Sequence, residues 1–101
     1  MSTVGDVVNA VVAERAAQDK RWGEQNHPDG TGYGIWVARA EEIKRRAAYQ
    51  VKNNTLTWQT ILYEEVAEAF AESDPIRLRE ELVQCAAVCV AWIEAIDRRN
   101  E

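Results

Sequence analysis

Apolar residues recur at intervals of three and four along most of the chain, and this spacing predicts α-helices rather than strands. The first predicted helix runs from about Thr3 to Arg21, and Thr3 and Asp6 have the spacing of a capping box. Its apolar stripe consists of valines: Val4, Val7, Val8, Val11 and Val12. Valine is also common in strands, but a strand would place its apolar residues two positions apart.

Glycine and proline concentrate between Trp22 and Ile35, which predicts a long loop. The loop contains the only histidine, His27. A second helix is predicted from about Ile35 to Lys52, and it is the most basic segment of the chain. Its predicted buried face consists of Trp36, Ala40, Ile43, Ala47 and Val51.

The third and fourth helices have clear start signals. Thr57 suits the N-cap of a helix that reaches about Ala71, because its side chain can accept a hydrogen bond from the first turn. Asp74 followed by Pro75 is a favoured start for a last helix, which reaches about Arg98. The predicted apolar face of that helix consists of Leu78, Leu82, Cys85, Val88, Cys89, Trp92 and Ile96.

The four helices have short connections except after the first, which predicts one all-α domain over residues 1–101, folded as an antiparallel four-helix bundle. The last helix is apolar over a wide arc, and a helix of that kind is buried on most sides. A chain of 101 residues cannot easily cover this surface together with four tryptophans. The sequence therefore predicts an oligomer, most simply a symmetric dimer.

Charge and cysteine content narrow the class of protein. The formal net charge of -5 argues against non-specific binding to nucleic acid, which needs a basic surface. No apolar run approaches the roughly 20 residues that span a bilayer, and the N-terminus lacks the features of a signal peptide. Cys85 and Cys89 lie in an apolar run and are interpreted as buried thiols. These features predict a cytoplasmic protein.

Acidic residues fall inside the apolar faces of the last two helices. The helical period of 3.6 residues places Glu65 in the middle of one face and Glu81 in the middle of the other. A second oxygen donor follows each of them on the next turn, Glu68 and Gln84 respectively. An isolated carboxylate in a core is costly, whereas Mg²⁺ and Mn²⁺ prefer oxygen ligands. The pattern therefore predicts an acidic metal site between the last two helices.

The residue pattern is also compatible with two roles for these glutamates that involve no metal. The carboxylates could pair with arginines, and the available ones are Arg39, Arg46, Arg77 and Arg79. They could also belong to an oligomer interface that needs their charge. In either role the chain would be a helical interaction protein rather than a metal-binding one.

The same residues carry a family resemblance. The run Glu64–Glu68 resembles the acidic motif of the MazG-like nucleotide pyrophosphohydrolases, which belong to the all-alpha NTP pyrophosphatase superfamily. That family has a second motif on the next helix, a glutamate followed three residues later by an aspartate, and Glu81–Gln84 stands in that place. The segments Ala13–Trp22 and Gln25–Pro28 are similar to the polar stretch and aromatic loop before the acidic helices.

The resemblance covers most of the chain and implies a homodimer or a dimer of dimers. It implies a Mg²⁺-dependent enzyme, with Mn²⁺ as an alternative ion, that cuts a nucleoside triphosphate between the α and β phosphates. The products would be a nucleoside monophosphate and pyrophosphate. The implied metal ligands are Glu65, Glu68 and Glu81, with Gln84 in the aspartate position, and the candidate catalytic residues are Glu64 and Glu65.

Candidate substrate-binding residues come from the loop and the second helix. Lys44 and Arg46 are cations that could contact phosphates, Trp22 could stack on the base, and His27 could lie in the pocket. Gln84 offers a neutral carbonyl where the family has a carboxylate. The alternative function is therefore a catalytically weak or inactive nucleotide-binding module on the same helical scaffold.

Overall fold

A computed structural model describes residues 2–100 of the chain. It contains four α-helices: α1 (Val4–Trp22), α2 (Gly34–Lys52), α3 (Trp58–Ala71) and α4 (Pro75–Arg99). No strand occurs among these residues, which confirms the all-α prediction. Within the same range, no helix combines the length and the apolar composition needed to cross a membrane.

Local capping sets the helix boundaries. At the start of α1, the Thr3 backbone N–H donates to Asp6 Oδ2 at 2.9 Å and the Asp6 N–H donates to Thr3 Oγ1 at 3.1 Å, which confirms the capping box. The hydrogen bond from the Thr3 backbone also lowers the pKa of Asp6. At the start of α3, the Thr60 N–H donates to Thr57 Oγ1 at 3.2 Å. These caps explain why the predicted starts of α1 and α3 lie within one residue of the observed ones.

The chain forms two compact units. One consists of the residues up to Asp29 together with those from Val90 onward, and the other is Gly30–Cys89. The second unit contains α2, α3 and the Pro75–Cys89 part of α4, and α2 packs against α3. The ring of Trp36 on α2 meets the ring of Phe70 on α3 edge-on, with 4.9 Å between the ring centres.

The buried part of the second unit is made mostly of small side chains. Its buried residues are Ile43, Ala47, Thr60, Ala67, Ala69 and Leu78. Val51, predicted on the buried face of α2, is instead 60% exposed, because it lies in the last turn beside a connection that is itself exposed. Small residues on α3 allow close helix packing, so little volume is needed to fill this core.

The buried face of α4 is rotated around the helix relative to the apolar face that the sequence predicts. Leu78, Glu81 and Cys85 are buried or half-buried, whereas Leu82 is 50% exposed and Cys89 is exposed. Leu82, predicted on the apolar face of this helix, is therefore largely uncovered, and the predicted burial of Cys89 is wrong. Both cysteines are free. The covered stripe passes through Glu81 itself, so this carboxylate lies on the packed side of the helix.

The first unit buries few of its apolar residues. Val7 is the buried residue of α1, with 3% of its surface exposed. The rest of the predicted valine stripe is exposed: Val4, Val8, Val11 and Val12. The spacing of the valines thus predicted the helix correctly, and Val7 is the position of the stripe that the first unit covers.

The end of the glycine-rich loop docks onto the C-terminus of α3. The Gly32 N–H donates to the carbonyl oxygen of Phe70 at 2.8 Å, and Thr31 Oγ1 donates to that of Glu72 at 2.6 Å. The last carbonyls of a helix have no partner within the helix, so the loop supplies donors that α3 lacks. Gly32 has a φ of 91°, and an added Cβ there would lie 2.9 Å from Ser73 Cβ. The turn therefore requires glycine.

Candidate metal centre

Three glutamates converge in the second unit. Glu65 and Glu68 lie on neighbouring turns of α3, and Glu81 lies on α4. One carboxylate oxygen of each residue falls within 4.8 Å of the others, and all three side chains are half-buried. Because the two glutamates of α3 are three residues apart, they present their oxygens on one side of that helix. The structure thus brings together three of the four predicted metal ligands.

Two oxygens of this cluster are buried without a partner. Glu65 Oε2 and Glu81 Oε2 are inaccessible to solvent, and within residues 2–100 neither accepts a hydrogen bond. A buried acceptor without a donor loses its hydration and gains nothing in exchange, which costs about 1–3 kcal/mol and more when the group is charged. A bound cation would supply the missing partner for both oxygens.

The carboxylates also repel one another. Burial raises the pKa of Glu65, and the negative charges of Glu81 and Glu64 raise it further. Burial likewise raises the pKa of Glu68, followed by the charges of Glu65, Glu81 and Glu64, while the positive charge of Lys44 lowers it. The group is therefore a concentration of negative charge that a divalent ion would neutralise.

A cavity of about 300 Å³ opens beside the cluster. It is lined by Val37, Ala40, Glu41 and Lys44 of α2, by Glu68 and Ala71 of α3, and by Glu72 and Glu81. Apolar side chains form part of its wall, and most of its polar groups are carboxylates. The cavity therefore gives a small ligand access to Glu68 and Glu81.

A larger depression of about 740 Å³ lies in the first unit, away from these glutamates in the chain. It is lined by Arg15, Gln18, Asp19, Gly23, Glu24 and Gln25. Its polar groups are already paired, since Arg15 donates to Gln18 at 2.9 Å and to Asp19 at 2.7 Å. The depression follows one helix end and the adjoining loop, and no unsatisfied group points to a ligand there.

Arginine pairing does not account for the buried glutamates. Ion pairs in the described chain join Arg15 to Asp19, Arg46 to Glu42 and Arg77 to Asp74, and none of them includes a residue of the cluster. Of the two remaining candidate arginines, Arg39 lies over the Trp36 ring, 5.6 Å from its centre, and Arg79 is exposed. The structure thus disfavours an ion-pair role for the cluster.

The remaining predicted site residues are placed differently. Glu64 is half-buried and close enough to raise the pKa of Glu65. Gln84 is exposed and is not among the residues that line the cavity. Lys44 lines the cavity, whereas Arg46 is exposed and pairs with Glu42 at 3.9 Å.

The two substrate-binding candidates of the loop region belong to the first unit. Trp22 is 63% exposed, and the Arg21 guanidinium lies 5.9 Å from its ring centre. The ring Nε2 of exposed His27 is 2.9 Å from Gln25 Oε1. Both of these interactions are local, within three positions of the chain.

Sequence reasoning missed three residues beside the cluster. Glu41 and Glu72 line the cavity, and Cys85 has a pKa raised by burial and then by the charge of Glu65. The spacing contained a signal for all three, because Glu72 follows Glu68 by one turn and Glu41 precedes Lys44 by one turn. Cys85 likewise follows Glu81 by one turn.

Comparison with known proteins identifies no similar protein. No protein-family model, no curated protein and no solved structure matches the chain. The candidate function therefore rests on the geometry of the cluster and on the acidic motifs.

Proposed function

We propose that the chain is a Mg²⁺-dependent nucleoside triphosphate pyrophosphohydrolase. The observation that carries the proposal is the convergence of Glu65, Glu68 and Glu81, with two buried oxygens that lack partners. The resemblance of Glu64–Glu68 and Glu81–Gln84 to the acidic motifs of the MazG-like enzymes supports the choice of reaction.

The residues present fit a single divalent ion. One carboxylate oxygen of each of Glu65, Glu68 and Glu81 lies within 4.8 Å of the others, near enough that a single divalent ion would engage all three residues. When bound, Mg²⁺ neutralises phosphate charge and lowers the pKa of a coordinated water.

The chain itself would supply the base. Water adds across the P–O–P link between the α and β phosphates, and the products are a nucleoside monophosphate and pyrophosphate. Glu65 or Glu64 accepts the proton that the water loses. The half-buried position limits competing water around this group.

The test is pyrophosphate release from a panel of ribo- and deoxyribonucleoside triphosphates with Mg²⁺ or Mn²⁺. We expect metal-dependent release by the wild type and a loss of at least about 100-fold in Glu65→Gln, since a general base contributes about 100- to 10,000-fold. Glu80→Gln is the matched control, because Glu80 is an exposed neighbour of Glu81 on α4. Equal activity in the wild type and Glu65→Gln would contradict the proposal.

A second candidate is a nucleotide-binding module without turnover. Gln84 favours it, because this residue is neutral where the family has a carboxylate and is exposed in the structure. In that case the wild type would bind nucleotides with Mn²⁺ but release no pyrophosphate. Turnover gained by Gln84→Asp would identify the missing charge as the cause, and turnover by the wild type would exclude this candidate.

We also propose that the active species is a homodimer. Large apolar side chains remain exposed in both units, among them Val4 and Val12 of the first unit and Ile35, Tyr49 and Ile76 of the second. A second copy would cover part of this surface symmetrically. Sedimentation equilibrium of the active preparation should therefore give about twice the chain mass of 11.4 kDa. A mass of one chain would contradict this part of the proposal.

A further inference from the structure

A row of apolar side chains on α4, called here the exposed stripe, is uncovered in the chain. Its members recur at intervals of four and three residues, and all of them are exposed: Leu82, Ala86, Cys89, Ile93 and Ile96. They belong to one unbroken helix, so their spacing alone places them on one face of it. Apolar residues with this spacing form the contact between paired helices in coiled coils. The exposed stripe, about 21 Å long at 1.5 Å per residue, therefore suits another helix.

The exposed stripe lies beside the covered side of α4, which includes Leu78, Glu81 and Cys85. Single exposed apolar residues are ordinary on a protein surface, whereas a contiguous row of them marks a contact with another molecule. The middle of the row consists of small side chains, Ala86 and Cys89. A second helix could therefore approach α4 most closely at this point.

Charged residues at the two ends of the exposed stripe indicate which molecule fits it. Arg79 lies one turn before Leu82, and Asp97 directly follows Ile96. Both border the stripe on the same side, about 60° around the helix from Leu82. Neither takes part in an ion pair within residues 2–100. They are about 27 Å apart along the helix, so they cannot pair with each other in one chain.

We infer that the exposed stripe binds the same stripe of a second copy of the chain, with the two α4 helices antiparallel and the two-fold axis near the Ala86–Cys89 segment. The inference rests on the proposed homodimer and assigns its interface and the direction of its helices. An antiparallel pair brings Arg79 of each chain to Asp97 of the other, and it also opposes the two helix dipoles. A parallel pair would set like charges against each other at both ends.

Cross-linking tests the position of the axis. In Cys85→Ala, Cys89 is the only cysteine, so a bis-maleimide with a short spacer can join only two chains. We expect a covalent dimer from this variant at low protein concentration, because both copies of Cys89 lie near the axis. Cys89→Ser is the matched control and should give none, since its remaining thiol, Cys85, is half-buried.

Sedimentation equilibrium tests the exposed stripe itself. Leu82→Glu should weaken dimerisation about 100-fold or more, because it buries two unpaired charges in the interface. Ile76→Glu is the matched control, since Ile76 is an exposed apolar residue of α4 outside the stripe, and it should dimerise as the wild type does. Both positions are exposed in the chain, so circular dichroism should show an unchanged fold.

A charge exchange tests the direction of the helices. Arg79→Glu and Asp97→Arg should each weaken dimerisation about threefold to tenfold, because each contact occurs twice in the dimer. The combination of the two changes should restore wild-type affinity in an antiparallel pair, and a double variant weaker than both single variants would contradict that direction.

The possible failures are distinguishable. A wild-type dimer without a cross-link at Cys89 would overturn the antiparallel pairing and leave the homodimer in place. Loss of the dimer in Leu82→Glu without that cross-link would assign the exposed stripe to another helix of the second copy. A monomeric wild type would overturn the homodimer and this inference together.

Discussion

Glu65 and Glu68 are held in the folded chain at a cost that depends on their charge. Burial is the larger cause of their raised pKa values, and repulsion among the neighbouring carboxylates is the second. Because both causes act on the ionised form, the folded state binds these protons more tightly than the unfolded chain does. Stability contributed by the protonated groups is complete below the ordinary glutamate pKa of about 4.3 and is lost as the pH rises through the raised values.

Because the pKa values of these glutamates are raised, the stability of the metal-free protein should depend on their charge. Glu65→Gln should be more stable than the wild type at pH 7, and the difference should shrink toward pH 4, where the wild-type carboxyl is protonated. Urea unfolding of both proteins across this range measures it. Asp6 has a lowered pKa, so its contribution has the opposite sign and is lost as the pH falls, but it is present in both proteins and cancels. A wild type more stable than the variant at pH 7 would contradict the argument.

The proximity of Glu65, Glu68 and Glu81 could be predicted because the helical period places each of them on a covered face. The exposure of Gln84 could not be predicted from this period. A residue at the edge of a helix face is buried or exposed depending on how the neighbouring element packs against it. Lys44 illustrates the same limit. Its sequence position allowed a phosphate contact, but only the packing of α2 against α3 places it on the cavity beside Glu68.

At the scale of elements, the caps were predictable and the loop contact was not. Thr57 and Asp74 act locally, through hydrogen bonds to residues two or three positions away. The docking of Thr31 and Gly32 on the end of α3 joins segments about forty residues apart, as the 41-residue separation of Thr31 and Glu72 shows. Glycine content predicted a loop there, but no local rule specifies which carbonyls its N–H groups reach.

The docking of Gly32 gives a stability prediction with an internal control. Gly30 and Gly32 both have positive φ, 70° and 91°, but only at Gly32 would a Cβ meet another residue, Ser73. Gly30→Ala should cost about 1 kcal/mol from backbone strain alone. Gly32→Ala should cost about 1–3 kcal/mol more, the usual effect of overpacking.

Urea unfolding of the two alanine variants checks the difference. Ser73→Gly removes the atom that the new Cβ would contact. Gly32→Ala should therefore lower the free energy of unfolding by less in the Ser73→Gly protein than in the wild type. Equal costs at Gly30 and Gly32 would show that the contact with Ser73 does not determine the requirement for glycine.

At the scale of the whole molecule, the number and order of the helices followed from the pattern of apolar residues. The exposure of their apolar side chains could not be predicted in the same way. Whether the valines of α1 and Leu82 of α4 are covered depends on which flank of each helix packs against a neighbour. The extent of exposed apolar surface supports the proposal of a homodimer, and the acidic cluster supports the proposal of a bound cation. Both proposals describe what the isolated chain leaves unsatisfied, and the buried oxygens of Glu65 and Glu81 are the sharpest example.

We propose that Glu65, Glu68 and Glu81 hold one divalent ion, and the decisive measurement is a Mn²⁺ titration followed by electron paramagnetic resonance. We expect one site per chain in the wild type, a loss of affinity of about tenfold or more in both Glu65→Gln and Glu81→Gln, and wild-type affinity in Glu80→Gln. Tenfold corresponds to about 1.4 kcal/mol, which is modest for removing one charged ligand. Wild-type binding by Glu65→Gln and Glu81→Gln, or no binding by the wild type, would show that these glutamates do not form a metal site.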